Sequence, residues 1–433
     1  MTQQLLDQSI SPLQHLEAAV HRRAKAVALD LSGENGDRQL RRLIDDEIEA
    51  WQADHKRGRR PFAIVDASAM ARRLHHNIAR YGPLTDLLDD DDVWEIMINS
   101  PGDIFVKRHR GPSGYHQEVF TDDDHVVRTL TKILDESSTS HRKLDPTEGL
   151  QDAQLESGAR LHIVHGDLAR GGHLIVNIRK HTGVAFTDLD QLVKAGTLTG
   201  PAALFLRRAV SARATTIFAG APGSGKTTLL GCCAAELDPA LRVVIAEEVF
   251  ETDVPLANVA SLQTRPPRAD RAAVDLRRLV AGFLRMAPDV AIVGEVRDRE
   301  ALPLLLTLSS GVTGMTTIHA GSARQALTRL RFICQLAETG SELPLSALNT
   351  LVSEAVDVVV HSERGPDGPR GMSVLAVEDL VAGVESTQFT VTEVFARRSV
   401  RDRLEWTGVV PSRLAAKFDR ADMDLRVVLG ALG

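Results

Sequence analysis

The sequence has few of the residues that mark several functional classes. Its 433 residues include three cysteines, Cys232, Cys233 and Cys334, without a C-x-x-C pair, so neither a zinc site nor a disulfide framework is indicated. Phe, Trp and Tyr make up 4%, which leaves few platforms for stacking nucleic-acid bases. Acidic residues outnumber basic ones, 58 to 51, and the resulting net charge of −7 argues against dedicated nucleic-acid binding.

Long apolar runs are also missing. No stretch of about eighteen apolar residues occurs, so we expect no membrane-spanning helix. The first residues lack the basic-then-apolar pattern of a secretory signal. Unpaired cysteines fit a reducing compartment. These absences together predict a cytoplasmic protein.

One segment carries a specific chemical pattern. Residues 220–227 match G-x-x-x-x-G-K-[ST], the phosphate-binding loop of nucleoside triphosphatases. The apolar run 214–219 predicts a strand before the loop, and residues 227–237 predict a helix after it. A glycine-rich turn without chemical function is the alternative, and the two correct flanks argue against it. The predicted nucleotide-binding residues are Gly220, Ala221, Pro222, Gly223, Ser224, Gly225, Lys226, Thr227 and Thr228.

Each part of this loop has a physical role. Glycines let backbone N–H groups turn toward phosphate oxygens, and the helix N-terminus adds positive potential. Lys226 supplies a point charge for the β- and γ-phosphates, and the Thr227 hydroxyl can bind Mg²⁺. The loop therefore predicts ATP and Mg²⁺ as cofactors.

Periodicity and composition divide the chain into five predicted segments. Residues 1–60 form a helical extension, and 61–181 form a smaller α+β domain. Residues 182–200 form a linker. Residues 201–394 form an α/β domain whose near-continuous apolar strands suit a mostly parallel sheet with helices on both faces. Residues 395–433 form a helical tail.

Polar residues follow three further predicted strands of the α/β domain. Glu295 ends the predicted strand 291–295. An acidic group at 247–251 follows the strand 241–246, and His319 follows Thr316–Ile318. Carboxyl ends of parallel strands meet at the edge where ligands bind. A carboxylate there could activate water as a general base. An ordinary strand-end glutamate, an exposed acidic turn and a structural histidine are the alternatives.

The motifs occur in the order of a known family. The chain resembles bacterial secretion motor ATPases of the type II/type IV class, and within that class most closely the Flp/Tad pilus-assembly ATPases of the CpaF type. The resemblance covers about residues 81–360. It rests on the phosphate loop, the acidic box 245–251, T-R-P-P at 264–267, L-R-M-x-P-D at 284–289, V-G-E-V-R at 293–297, T-T-I-H-A at 316–320, and residues 81–84 and 93–99.

This resemblance implies a RecA-like ATPase domain after a smaller N-terminal domain, with site residues assigned by position. Glu251 matches the catalytic glutamate of the family, and Glu295 matches the acid that organises Mg²⁺. His319 matches the second histidine of the histidine box. Arg160 and Arg179 match arginines of the N-terminal domain that reach the phosphates, a role that suits a permanently charged, bidentate guanidinium.

Three positions depart from the family pattern. Glu248 stands where the acidic box usually has Asp. Residues 311–314 lack the first histidine of the histidine box. Arg278 occupies a position where an acid is expected. The family role of that first histidine therefore has no matching residue in this chain.

The resemblance also implies partners and a place in the cell. Family members form homo-hexamers at the inner face of the cell membrane, beneath an inner-membrane platform protein, and ATP hydrolysis drives pilus assembly or secretion. A conjugative or type IV secretion traffic ATPase would share the same site. A RecA-like DNA-dependent ATPase is a further alternative, although the composition predicts no dedicated nucleic-acid binding.

Overall fold

The computed structural model describes residues 11–31, 33–109, 111–136, 143–155, 157–180, 186–265, 272–337, 343–366, 368–379 and 389–430. The chain divides into two compact units, Met1–Gly183 and Val184–Gly433. Pro266 and Pro267 of the T-R-P-P motif, and residues 182–185 of the predicted linker, lie outside the described residues.

The first unit begins with three helices, α1 (Pro12–Ala26), α2 (Gly33–Lys56) and α3 (Ala67–Ala79). Ser11 caps α1 through a capping box with Gln14. The helices share an apolar core that includes Val20, Ile44 and Leu74. Helix α1 ends at Ala26, and the chain turns at Ala28 with a positive φ of 46°.

A six-stranded antiparallel sheet follows in the first unit, in the order β3-β2-β1-β6-β5-β4. Helix α4 (Thr85–Asp89) precedes it, and the amphipathic helix α5 (Asp123–Glu136) packs on its apolar core. The strands are β1 (Val93–Ser100), β2 (Asp103–Arg108), β3 (Gly114–Tyr115), β4 (Leu150–Gln154), β5 (Arg160–Val164) and β6 (Ile175–Arg179).

The second unit is built on a nine-stranded sheet in the order β15-β14-β13-β12-β7-β11-β10-β8-β9. Strands β12, β7, β11, β10, β8 and β9 are parallel, which confirms the predicted mostly parallel α/β fold. Their bounds are β7 (Thr216–Gly220), β8 (Val243–Glu247), β9 (Val259–Gln263), β10 (Val290–Val296), β11 (Thr313–Ile318), β12 (Val358–Gly365), β13 (Gly368–Val377), β14 (Val391–Ala396) and β15 (Glu405–Trp406).

Helices cover both faces of this sheet. Alternate strand residues enter different apolar clusters, Phe218 and Ile245 in one and Ile217 and Val244 in the other, as the two-residue period of a strand requires. No helix of the described residues is long and apolar enough to cross a membrane. The helices are α6 (Leu189–Lys194), α7 (Gly200–Ser211), α8 (Lys226–Ala234), α9 (Leu276–Ala281), α10 (Ala301–Ser309), α11 (Ala323–Ala337), α12 (Leu345–Ala355), α13 (Ser412–Asp419) and α14 (Leu425–Gly430).

The segment predicted as a linker, 182–200, contains ordered structure. Asp188 caps helix α6 by accepting a hydrogen bond from the Gln191 N–H. Leu189 and Leu192 of this helix are buried in the main apolar cluster of the second unit. The predicted linker therefore contributes to the core, because two leucines three residues apart lie on one face of a helix.

The segment predicted as a helical tail, 395–433, also differs from expectation. It includes the short strand β15, which pairs with β14, before helices α13 and α14. Phe418 is fully buried in the core. The buried Glu378 carboxylate accepts hydrogen bonds from the backbone N–H groups of Ser412 and Arg413, so it caps α13 from outside the helix. The tail is part of the folded second unit.

Candidate nucleotide-binding site

The phosphate loop joins a fully buried strand to a helix, as the motif predicts. Strand β7 ends at Gly220, and helix α8 begins at Lys226. Gly223 and Gly225 have φ values of 73° and 86°, which residues other than glycine rarely adopt. Because the first N–H groups of a helix lack partners within it, this turn presents donors to an anion.

A close approach fixes the start of the loop. A Cβ atom on Gly220 would lie 2.3 Å from both the Ser224 Oγ and the Ser362 carbonyl oxygen. The Ser362 hydroxyl lies 3.3 Å from that of Ser224, and both side chains are fully buried. Ser362 belongs to β12, which pairs directly with β7. A neighbouring strand therefore sets the shape of the loop.

The hairpin formed by β12 and β13 supports the loop at a second place. Arg364 donates a hydrogen bond of 3.2 Å to the Gly223 carbonyl oxygen. Pro369 packs so closely that a Cβ on Gly225 would lie 2.9 Å from its own Cβ. The sequence analysis did not identify these contacts, because they join residues about 140 positions apart.

Lys226 lies in a connected group of charged side chains. Only 7% of this residue is exposed, and its Nζ donates to the Ala221 carbonyl oxygen at 3.0 Å. The same Nζ lies 3.2 Å from Nδ1 of His319, whose Nε2 lies 2.9 Å from Oε1 of Glu295. Nδ1 of His319 also lies 3.2 Å from the Gly220 carbonyl oxygen, so this nitrogen is close to both a donor, Lys226, and an acceptor. The structure thus brings together three of the predicted site residues.

A bulge positions Glu295. Val293 pairs with Thr316 and Val296 with Ile318, so two residues of β10 lie opposite one residue of β11. The hydroxyl of that one residue, Thr317, donates to the Gly294 carbonyl oxygen at 2.7 Å. A bulge re-aims a side chain at the end of a strand. The sequence predicts a strand-end acid here but gives no sign of the bulge.

Arg297 links Glu295 to the acidic box. Its guanidinium donates to Glu295 at 2.7 Å and to Glu248 at 2.9 Å. Burial alone would raise the pKa of Glu295, but contacts with His319 and Arg297 outweigh it and lower that pKa to about 2. Glu295 is therefore ionised at neutral pH. The sequence analysis missed the role of Arg297, although V-G-E-V-R places it two residues beyond Glu295.

The three glutamates of the acidic box have different environments. Glu247 is 2% exposed, and its carboxylate accepts hydrogen bonds from the backbone N–H groups of Glu251 and Thr252 and from the Thr252 hydroxyl. Glu248 pairs with Arg297. Glu251 is half-buried and its charge contributes to raising the pKa of Arg297, after the larger effect of Glu295. Glu247 thus holds the loop that carries Glu251.

The remaining predicted residues lie in two places. Thr227 and Thr228 are half-buried in the first turn of α8. Arg160 and Arg179 belong to the first unit, where they face each other across adjacent strands β5 and β6. Glu95 lies opposite Arg179 on its other side, and forms an ion pair with Lys107.

The possible metal ligands at this site suit Mg²⁺, which also binds phosphate and water, better than a metal ion whose ligands all come from the protein. Within the described ranges, no three His, Cys, Asp or Glu side chains are grouped to hold a metal ion. Mg²⁺ usually takes one or two protein oxygens and completes its shell with phosphates and water. The Thr227 hydroxyl and the ionised Glu295 fit that requirement.

Comparison with known proteins gives consistent matches. The family model described as type II/IV secretion system protein matches residues 78–362. The probable conjugal transfer protein TrbB of Sinorhizobium fredii is 31% identical over 70% of this chain and 90% of its own length. The type IV secretion system protein PtlH homolog of Bordetella bronchiseptica is 32% identical over 64% of this chain and 87% of its own length.

A solved structure is also similar. The crystal structure of the VirB11 ATPase of Brucella suis in complex with sulphate is 28% identical to this chain, with a TM-score of 0.37. The match covers 67% of this chain and 91% of the VirB11 chain.

The buried Glu247 predicts a specific pH dependence of stability. Burial raises its pKa from 4.5 to about 7, despite opposing hydrogen bonds from Thr252 and Glu251. The folded state therefore favours the protonated acid, and its stabilising contribution is lost as pH rises from 4.5 through 7. For Glu247→Gln, which does not ionise, the free energy of unfolding relative to the unsubstituted protein should rise across this interval by up to about 3 kcal/mol.

Urea unfolding of both proteins at a series of pH values measures this difference. Glu405→Gln, at an exposed carboxylate of the same unit, is the matched control and should give a constant offset. Parallel pH profiles for Glu247→Gln and the unsubstituted protein would contradict the assignment.

Proposed function

The chain belongs to the type II/IV secretion system protein family, as its motifs predict, and we propose that it is the ATP-hydrolysing motor of a type IV secretion or conjugation machine. The relatives named as conjugal transfer and type IV secretion proteins support this class. The observation that carries ATP use is the phosphate loop with its ammonium group, Lys226, linked through His319 to an ionised Glu295.

Binding of ATP would exchange the partners of Lys226. Its Nζ now contacts the Ala221 carbonyl oxygen and His319. The β- and γ-phosphates are stronger acceptors because they are charged. When Lys226 turns to them, His319 loses this contact and keeps its approach to the Gly220 carbonyl oxygen, so the ring would respond to the γ-phosphate. His319 would therefore report nucleotide occupancy to Glu295.

The residues that would hold Mg²⁺ are Thr227 directly and Glu295. When bound, Mg²⁺ neutralises charge that develops on the phosphate oxygens. Oε2 of Glu295 accepts from Arg297, Oε1 lies 2.9 Å from Nε2 of His319, and each carboxylate oxygen has two lone pairs. Glu295 can therefore keep its protein contacts while accepting from a further donor.

Glu251 is the proposed general base for the attacking water. Glu247 is tied to the Glu251–Thr252 backbone and Glu248 to Arg297, so neither is placed for that role. Glu251 lies on a loop that follows β8, whose carboxyl end meets the ligand-binding edge of the sheet. A carboxylate there can accept the proton of the water as it attacks the γ-phosphate.

Arg160 and Arg179 are proposed to act on the phosphates in the transition state. They lie opposite each other on adjacent antiparallel strands, so two permanently charged side chains occupy neighbouring positions of the sheet. Two adjacent forks are suited to a polyphosphate.

We further propose a homo-hexamer at the inner face of the cell membrane, with an inner-membrane platform protein as partner. Light scattering of the purified chain with and without ATP tests the ring. A second candidate is a Flp/Tad pilus-assembly motor, favoured by T-R-P-P at 264–267 and L-R-M-x-P-D at 284–289. Identification of the co-purifying membrane protein and of the neighbouring genes separates the two, since prepilin genes indicate pilus assembly and channel genes indicate conjugation or secretion.

Lys226→Ala should weaken ATP binding by at least about tenfold, because the phosphates lose a charged hydrogen-bond donor. Titration with a fluorescent ATP analogue measures the affinity. Lys194→Ala, at an exposed lysine of the same unit, is the control and should bind as the unsubstituted protein does. Native affinity in Lys226→Ala would contradict the nucleotide site.

Glu251→Gln should bind ATP but lose nearly all hydrolysis, because the amide cannot accept a proton from water. Single-turnover assays of released phosphate, together with the binding titration, separate the two steps. Asp253→Asn removes an exposed acid from the same loop and should retain turnover. Near-native turnover in Glu251→Gln would place the base elsewhere.

Arg179→Ala and Arg160→Ala should lower turnover on the order of 10²-fold while ADP affinity changes little. Charges that engage only in the transition state affect rate rather than ground-state binding. Arg170→Ala, an exposed arginine of the same unit, is the matched control. Equal losses of ADP affinity and turnover would indicate a ground-state or structural role, and light scattering checks that assembly is unchanged.

A further inference from the structure

A cavity of about 530 Å³ lies in the second unit, and its lining includes neither Lys226, His319 nor Glu295. Three arginines line it, Arg370, Arg397 and Arg401, together with one acid, Asp402. Arg370 lies on β13, and Arg397 directly follows β14, the next strand of the sheet. The cavity is thus built on ordered strands, and its volume falls within the range of about 300–1,000 Å³ that is typical of small-molecule sites.

The guanidinium of Arg397 is buried without a full set of partners. The residue is 8% exposed, and its Nη2 donates to the carbonyl oxygens of Gly196 and Thr197. Its Nε is buried and has no hydrogen-bond partner among the described residues. Leaving a charged donor unsatisfied costs free energy, since burial removes its water.

Arg370 adds a second positive charge beside it. Its Nη1 donates to the carbonyl oxygens of Ala195 and Pro369. Within the part of the chain that the structure describes, neither Arg370 nor Arg397 forms an ion pair with a carboxylate. Burial and, after it, the neighbouring charge of Arg370 lower the pKa of Arg397, while Asp402 opposes this effect.

The charges around the cavity are unbalanced. Among the lining residues that the structure describes, three arginines against one aspartate leave two positive charges. A phosphate monoester carries about −1.5 to −2 at neutral pH and offers three acceptor oxygens. Arginine forks match such oxygens geometrically. A phosphate group would therefore balance the charge of the lining arginines.

We propose that this cavity is a second binding site for a phosphate-bearing small molecule. It is separate from the site that holds the triphosphate, whose charged groups are Lys226, His319 and Glu295. The two sites share a structural element, because Pro369 precedes Arg370 and packs against Gly225 of the phosphate loop. Thr197 also donates from its hydroxyl to the Pro369 carbonyl oxygen at 3.0 Å. Occupancy of the cavity would therefore stiffen the support of the phosphate loop.

The test uses pyrophosphate as the probe and the full-length chain carrying Lys226→Ala, which weakens the phosphate loop as a competing site. Titration calorimetry should detect one pyrophosphate site in this protein. When Arg370→Gln and Arg401→Gln are added to this protein, its affinity for pyrophosphate should fall by about tenfold or more. Arg398→Gln, an exposed arginine beside Arg397 that does not line the cavity, should leave it unchanged.

Hydrogen exchange gives a second measurement that needs no substitution in the cavity. Pyrophosphate should slow exchange at residues 195–197 and 397–402 in the Lys226→Ala protein. Protection confined to residues 220–228, absence of binding, or equal weakening by Arg398→Gln would overturn the proposal. Binding of adenosine in place of pyrophosphate would also overturn it, since the cavity would then hold a nucleoside base.

Discussion

The carboxylate of Glu295 is the group on which the geometry of the site depends. It contacts His319 on one oxygen and Arg297 on the other, and these two residues connect it to Lys226 and to Glu248. Four strand ends are linked through this one acid. A bulge in β10 presents it, and the two positive partners keep it ionised despite burial. Without that charge, His319 and Arg297 would lose the carboxylate that they share.

The phosphate loop depends equally on segments far from it in the chain. Ser362 and Arg364 of the β12–β13 hairpin contact it, and Pro369 packs against it. The hairpin in turn is continuous with β14 and β15, so the C-terminal residues belong to the same sheet as the loop. The buried Asp357, beside this hairpin, accepts from the Thr215 N–H and pairs with Lys417 of α13. These contacts connect the second unit from β7 to α13.

The sequence predicted those helices and strands that depend on short runs of neighbouring residues. The strand before the phosphate loop, the helix after it and the apolar strands of the parallel sheet follow from short runs of residues, and the structure confirms them. The order of the strands, the bulge at Glu295 and the support from Ser362 depend on pairing between distant segments, which composition and period do not encode. The sequence did not show that the predicted linker and tail contribute to the core. Burial of Leu189 and Phe418 depends on contacts with distant segments.

The acidic box shows most clearly what residue type alone leaves open. Glu247, Glu248 and Glu251 are chemically identical and lie within five positions, yet burial separates them. Glu247, with a pKa of about 7, has its carboxylate occupied by backbone donors, and Glu248 is held by a guanidinium. The first two acids therefore hold the loop and Arg297, and the proposed base is the third, which their contacts leave at the edge of the sheet.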